Sequence, residues 1–262
     1  MMGWQTTITM NRERALSGSD IITAAVLVIG DEILSGRTKD QNIGTIASHL
    51  TDIGIALREV RVVGDVEADI VAAVNALRAR YTYLFTTGGI GPTHDDITAD
   101  SIGAAFGVPV EVDERAVALM KPAYEARGIA LTPARLRMAR VPAGAELIVN
   151  SVSAAPGFKI DNVMVLAGVP DIMKAMLFAA TQQLRTGPRV NSVSIVVRRP
   201  EGEIADLFAA HQKRYPDVTM GSYPTFSEGN YRTELVLRCS DSERLEEARA
   251  GLSRLLAERE LL

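Results

Sequence analysis

The chain is short of several things at once. Its 262 residues include a single cysteine, Cys239. That excludes an internal disulfide, and with it a Cys-rich structural zinc site. Aromatic side chains are few, 6 Phe, 6 Tyr and 1 Trp, so the core must be built from Val, Ile, Leu, Ala and Met. No apolar run approaches the roughly 20 residues a membrane span needs. Charge of one sign is also missing. With 28 basic and 32 acidic residues the net charge is -4, which gives no general electrostatic footprint for nucleic acid. Residues 1–22 carry Arg12 and Arg14 but lack the apolar centre of a secretory signal. They are read as a flexible extension of a cytoplasmic protein. What remains is 47% hydrophobic and 23% charged, the composition of a soluble, folded protein.

Hydrophobic patterning gives the organisation. Ala24 to Ile29 is apolar on both faces, as a strand buried under helices should be. Ile43, Ile46, Ala47, Leu50 and Ile53 recur at helical spacing, and Gly54 suits a helix stop. Strands are expected at Ala56–Val63 and Tyr83–Thr87, with a helix through Ile70, Val71, Val74 and Leu77 between them. Thr98 reads as the N-cap of a short helix ending at Gly107. Helices are expected at about 114–127 and 132–140, then two strands flanking the turn Asp161-Asn162, then a helix opened by Pro170. Alternating strands and helices predict a three-layer α/β domain with a mostly parallel sheet over 23–184. A linker at 185–189 precedes a βαββα pattern over 190–262, expected to form a small α+β domain.

The stretch richest in chemistry is Thr86 to Thr98, T-T-G-G-I-G-P-T-H-D-D-I-T. It leaves the carboxyl end of a strand and enters a helix, the edge where open α/β sheets bind ligands. Gly88, Gly89 and Gly91 let backbone N–H groups approach phosphate oxygens closely. The spacing fits neither the dinucleotide fingerprint nor the P-loop, and a tight turn with capping aspartates would also account for it. Asp31 and Glu32 follow the first strand, Asp65 the second, and Asp95 and Asp96 the third. If those strands are parallel neighbours, five acids share one sheet edge. Crowded carboxylates repel, so a cation is expected among them. Oxygen donors without Cys or a His set favour Mg²⁺ or a similar ion. A phosphate cradle beside such an ion suggests phosphoryl or nucleotidyl transfer. The other candidates are weaker. His94 could touch phosphate or be idle. His49 reads as a packing or surface residue, and His211 has no carboxylate or Cys partner nearby in sequence. Ser101 and Ser153 lack a nucleophile elbow, and Cys239 reads as buried filler.

These residues resemble a known family. Gly30-Asp31-Glu32-Ile33-Leu34-Ser35-Gly36 with Asp40-Gln41-Asn42 resembles the opening motif of the competence/damage-inducible protein CinA family, a branch of the molybdopterin-binding (MoaB/Mog-like) superfamily. Val63-Gly64-Asp65 and Thr87 to Thr98 are similar to its V-G-D and T-G-G-L-G-P-T-x-D-D-L-T segments. Ala155-Pro156-Gly157-Phe158 and Leu166-Ala167-Gly168-Val169-Pro170 resemble two further blocks, with Ala167 where many members have Pro. Tyr215-Pro216-Asp217-Val218 and Gly221-Ser222-Tyr223-Pro224 resemble the region that follows in CinA-like proteins and in eukaryotic FAD synthases. The resemblance implies metal-dependent hydrolysis of a nucleotide pyrophosphate such as ADP-ribose or FAD, with Mg²⁺, Mn²⁺ or Co²⁺. It places the two functional aspartates on Asp65 and Asp96, with Asp95 as a further metal ligand. Gly88, Gly89, Gly91 and Thr93 would hold phosphate, and Asp31 and Glu32 would contact the nucleotide or support the metal. Adenylyl transfer to molybdopterin, or pterin or nucleotide binding without turnover, would use the same cradle. A homo-oligomer, dimer or trimer, is expected, with a small-molecule nucleotide or pterin ligand and no nucleic acid or membrane partner. With the chain ending at Leu262, neither the amidase domain of CinA nor the nucleotidyltransferase domain of FAD synthase is expected.

Overall fold

A computed structural model describes residues 21–227 and 230–262. The expected N-terminal extension therefore lies outside the described residues up to residue 20. Ile22 is buried, and its carbonyl accepts from the Ala56 N–H at 2.8 Å.

The elements of the larger part run in order. They are β1 (Thr23–Ile29), the one-turn helix α1 (Asp31–Leu34), α2 (Asn42–Asp52), β2 (Ala56–Val63), α3 (Glu67–Arg80), β3 (Tyr83–Thr87) and α4 (Thr98–Phe106). Next come β4 (Val110–Val112), α5 (Glu114–Glu125), α6 (Pro133–Leu136), β5 (Arg140–Pro142), β6 (Glu146–Ile148), β7 (Gly157–Ile160), β8 (Val163–Leu166) and α7 (Pro170–Thr181). Six strands form one sheet in the order β2-β1-β3-β8-β7-β6. The first four are parallel, β7 runs antiparallel to β8, and β6 antiparallel to β7.

Period-two alternation along β1 produces the three layers. Ala25, Leu27 and Ile29 point into a core shared with Ile70, Val74 and Leu77 of α3 and Ile102 of α4. Ala24, Val26 and Val28 point the other way, onto Ile46 and Leu50 of α2 and Met173, Met176 and Leu177 of α7. Each large apolar side chain so buried contributes about 1.5–3 kcal/mol.

Two expectations differ from the structure. The helix expected over 132–140 is one turn of α6 and a 3-10 turn at Arg137–Ala139, after which Arg140 enters β5 opposite Val112. Pairing with β4 claims the backbone that a longer helix would need. Thr98 is not an N-cap: Ile97 takes that position without a side-chain bond, and Thr98 is the first residue of α4.

The remainder is a second, smaller sheet. β9 (Asn191–Val197), α8 (Glu201–Arg214), β10 (Thr219–Ser227), β11 (Asn230–Cys239) and α9 (Ser242–Glu258) follow in βαββα order. The strands pair antiparallel as β10-β11-β9. Ile204, Leu207, Leu245, Leu252 and Leu256 of the two helices bury against Ile195, Val197, Leu235 and Leu237. His211 lies buried between the helices, its Nε2 2.8 Å from the Ala248 carbonyl. The connecting segment is tied to the larger part. The Arg185 N–H donates to the Tyr83 hydroxyl at 2.9 Å. Gly187 and Pro188 lie so close to Gly54 (φ 73°) that a Cβ there would strike their carbonyls. No helix among the described residues is long and apolar enough to cross a membrane.

Candidate functional site

The parallel order β2-β1-β3 places the carboxyl ends of three neighbouring strands on one edge, and the loops after them carry the acids and the glycines. The loop after β3 is shaped by its glycines. Gly88 and Gly89 have φ of 105° and 67°. A Cβ on Gly88 would collide with the Ile29 carbonyl oxygen, and one on Gly89 with the Thr98 hydroxyl. Thr98 fastens the loop from the helix side, its hydroxyl donating to the Gly88 carbonyl and its N–H to the Gly89 carbonyl, both at 3.0 Å. The Gly88 N–H is spent on the Leu166 carbonyl at 3.3 Å. Among the described residues, the N–H groups of Gly89, Ile90 and Gly91 have no hydrogen-bond acceptor. Three successive amides are thus left for an anion.

Asp96 closes the loop. Its Oδ2 accepts from the Thr93 N–H at 2.8 Å and from the Thr93 hydroxyl. The carboxylate lies over Gly91, 2.6 Å from where a Cβ would stand, so a larger residue there would have to push the Asp96 side chain aside. Thr93 therefore spends its hydroxyl on Asp96. Asp95 points outward beside the exposed His94, whose Nδ1 lies 3.9 Å from its carboxylate.

The acids after β1 and β2 hold each other. Asp65 Oδ2 accepts from the Asp31 N–H at 2.9 Å, and the Asp65 N–H donates to Asp31 Oδ1 at 3.4 Å. Glu32 folds back over Gly30, its Oε1 2.6 Å from the position a Cβ would take there.

A cavity of about 500 Å³ opens in front of the glycine loop. Gly88 to Pro92 form one wall and Ala167 to Pro170 another, with Met138, Pro156, Ile172 and Met176 making much of the rest apolar. Glu32 and Asp96 reach it; Asp31, Asp65, Thr93 and Asp95 are not among its lining residues. Asn42 pins the two walls together. It donates from Nδ2 to the Thr87 hydroxyl at 2.9 Å and to the Gly168 carbonyl at 2.8 Å.

Among the described residues no group of three or more His, Cys, Asp or Glu is close enough to cage a metal. The donors fit a hard cation in another way. Glu32 and Asp96 share the cavity with the free amides, and Mg²⁺ is commonly held by one or two carboxylates with ligand phosphates completing its shell. Those two are the residues that would hold it.

Over this geometry, residues 25–186 match a family model described as a probable molybdopterin binding domain. The chain belongs to the molybdopterin-binding domain family. Residues 189–262 match a second model, the FAD synthase middle domain. A protein of Pyrobaculum arsenaticum is 35% identical over 246 residues, covering 90% of this chain and 92% of its own. A CinA-like protein of Myxococcus xanthus is 32% identical and covers 83% of this chain, but only 55% of its own length is matched. A probable FAD synthase of Caenorhabditis elegans is 30% identical, with 90% and 50% covered. The chain thus spans about half the length of those last two relatives. The crystal structure of the protein CinA, of unknown function, from Thermoplasma acidophilum is 36% identical with a TM-score of 0.57 and covers 62% of this chain and 98% of its own. Two residues at the site of this molybdopterin-binding domain take roles that only the fold reveals. Asn42 sits in the Asp40-Gln41-Asn42 motif, but its wall-bridging role needs the fold. Arg137 donates from Nη2 to the Asp96 carbonyl at 3.4 Å and carried no sequence signal at all.

Proposed function

We propose that the cleft binds the diphosphate of a nucleotide-like molecule, of the ADP-ribose or FAD class, and hydrolyses it with a divalent ion. The observation that carries this reading is the run of unpaired amides from Gly89 to Gly91, beside the Asp96 carboxylate and opening on the cavity. The amides bind phosphate oxygens through the backbone, where side-chain changes cannot remove them. Asp96 Oδ2 is occupied by Thr93, and Oδ1 is the oxygen left to take a proton from an attacking water. The water's oxygen bonds to phosphorus as the bridging P–O bond breaks, giving AMP and a second phosphate monoester, ribose 5-phosphate from ADP-ribose or FMN from FAD. Met138, Pro156 and Met176 give the cavity an apolar lining beside these groups. A divalent ion, when bound near Glu32 and Asp96, supplies charge neutralisation on the phosphates. Asp65 acts from outside the cavity, by holding the Asp31 backbone.

The test is release of AMP from ADP-ribose or FAD with Mg²⁺, Mn²⁺ or Co²⁺. Activity in the wild type and a fall of about 100-fold or more in Asp96→Asn is expected, within the range for a positioned general base. No AMP with any of the three ions, or an unaffected Asp96→Asn, refutes it. The match to a molybdopterin-binding model over 25–186 supports a second reading, in which a pterin phosphate replaces water as nucleophile or is merely held. Transfer of AMP to a pterin phosphate would select it. The protein is taken to act in the cytoplasm as a dimer or trimer, so light scattering should give two or three times the 28.2 kDa chain mass.

A further inference from the structure

Behind the glycine loop runs a second, narrow cleft of about 10 Å³, lined by Gly89 to Gly91, Asp96, Met138 and Pro156 in common with the main cavity. That is room for about one water-sized group. Its other wall carries two arginines and an aspartate: Arg137, Arg140 and Asp100.

The two arginines are not equivalent. Arg140 is matched, both of its terminal nitrogens meeting the Asp100 carboxylate at 2.6 Å in a fork. Arg137 has no such partner. Among the described residues it forms no ion pair within 4 Å. Its one acceptor is the Asp96 backbone carbonyl, at 3.4 Å. Its Nε is buried without any hydrogen-bond partner. A buried, unsatisfied donor on a charged group is costly, and in a folded protein it calls for an occupant.

The neighbourhood shows which occupant. With Arg140 and Asp100 neutralising each other, Asp96 and Arg137 are left as one negative and one positive charge flanking the free amides. The amides are neutral donors, and no lysine lines either cavity. An arginine fork that lacks a carboxylate, beside three empty amides, suits a phosphate oxygen.

We propose that Arg137 is a diphosphate-contacting residue: its guanidinium takes a non-bridging oxygen of the second phosphate, next to the one cradled by Gly89 to Gly91. The inference rests on the proposed reading of the cleft and adds the charged side chain that reading lacks. It gives the site its preference for a diphosphate over a monoester, because a second phosphate reaches the guanidinium while the first fills the amides.

The test is calorimetric titration of the full chain with α,β-methylene-ADP and Mg²⁺, which binds as a diphosphate and cannot be cleaved at that bridge. Wild type, Arg137→Lys and Arg137→Gln are compared, with thermal unfolding of each. Arg137→Gln should bind about 10- to 100-fold more weakly at an unchanged unfolding midpoint, as for loss of a charged hydrogen bond. Arg137→Lys, keeping the charge without the fork, should fall between. AMP should bind all three proteins within a few-fold of each other. Equal affinity of Arg137→Gln and wild type for the analogue overturns the inference and leaves the proposed function standing. So does equal weakening of both variants with a lowered midpoint, which marks a structural role. A wild type that binds no analogue and releases no AMP from ADP-ribose overturns both.

Discussion

Alanine at Gly88 tests the geometry on which the amide cradle depends. Its φ of 105° lies outside the regions open to L side chains, and holding a residue there costs about 1–3 kcal/mol. The added Cβ also meets the Ile29 carbonyl oxygen, which is backbone at the end of the central strand β1 and cannot swing aside. Overpacking of that kind adds about 1–3 kcal/mol. Gly36 is the control. Its φ of 72° is also positive, but nothing stands within 4 Å of its would-be Cβ. Its alanine variant should lose only the left-handed cost of about 1–2 kcal/mol. At mid-range, Gly88→Ala costs about 4 kcal/mol and Gly36→Ala about 1.5 kcal/mol.

Urea unfolding followed by circular dichroism reads both values from the midpoint at unchanged slope. In thermal melts the same difference is several degrees, at about 2–4 °C per kcal/mol for a chain of this class. Gly88→Ala should also weaken α,β-methylene-ADP binding, since a shifted Gly88 carries the next three amides with it. If the two alanine variants agree within about 0.5 kcal/mol, the size of an ordinary surface change, the Ile29 carbonyl does not confine the loop and the argument fails.

Asn42→Ala strands the Gly168 carbonyl, while the Thr87 hydroxyl keeps its bond to the Ala167 carbonyl, at about 1–3 kcal/mol for the group left unsatisfied; an unfolding midpoint within error of wild type would show that the two walls do not need the pin. Burial holds the His49 imidazole below its ordinary value of 6.5, with Asp52 opposing. The unfolded chain then takes up the proton first, so stability falls as pH drops below 6.5. His49→Gln should flatten that slope in unfolding measured between pH 7.5 and 5, and an unchanged slope would refute the assignment.

The long, strongly patterned elements were legible in the sequence and the short ones were not. Ala56–Val63 and Tyr83–Thr87 are strands over the expected residues, rich in β-branched and aromatic side chains and each ended by a glycine, Gly64 and Gly88. β4, β5 and β6 have three residues each, too few for any period to show. Their pairing comes from chain segments meeting in space. Thr98 illustrates the same limit at a single side chain. Its residue type suits an N-cap, yet the fold brings the Gly88 carbonyl within reach and the hydroxyl goes there instead. The glycine loop was legible as a cradle because glycine has a direct conformational meaning. Which amides are free was not, since that depends on Leu166 arriving from the neighbouring strand to occupy Gly88. Arg137 reaches Asp96 only because β5 packs beside α4.

The acids at the sheet edge show how shared position can hide different work. Parallel strand order does bring their loops together, but Asp31 and Asp65 use their carboxylates to grip each other's backbone N–H groups, while Asp96 and Glu32 reach the cavity. Two roles for Asp65 therefore make opposite predictions. As a brace, it needs only an acceptor oxygen in the right place, which asparagine retains and alanine lacks. As a metal ligand or proton carrier, it needs the charge, which both substitutions remove. The bracing bond lies at the surface, so its loss should cost less stability than the about 1.5–3 kcal/mol typical of a hydrogen bond to a charged group. Its effect on activity should be larger, because the α1 turn it anchors carries Glu32. The brace predicts that Asp65→Asn keeps most AMP release from ADP-ribose while Asp65→Ala loses it, with both variants folded by circular dichroism. Equal inactivity of Asp65→Asn and Asp65→Ala would sink the brace and move Asp65 into the reacting group alongside Asp96.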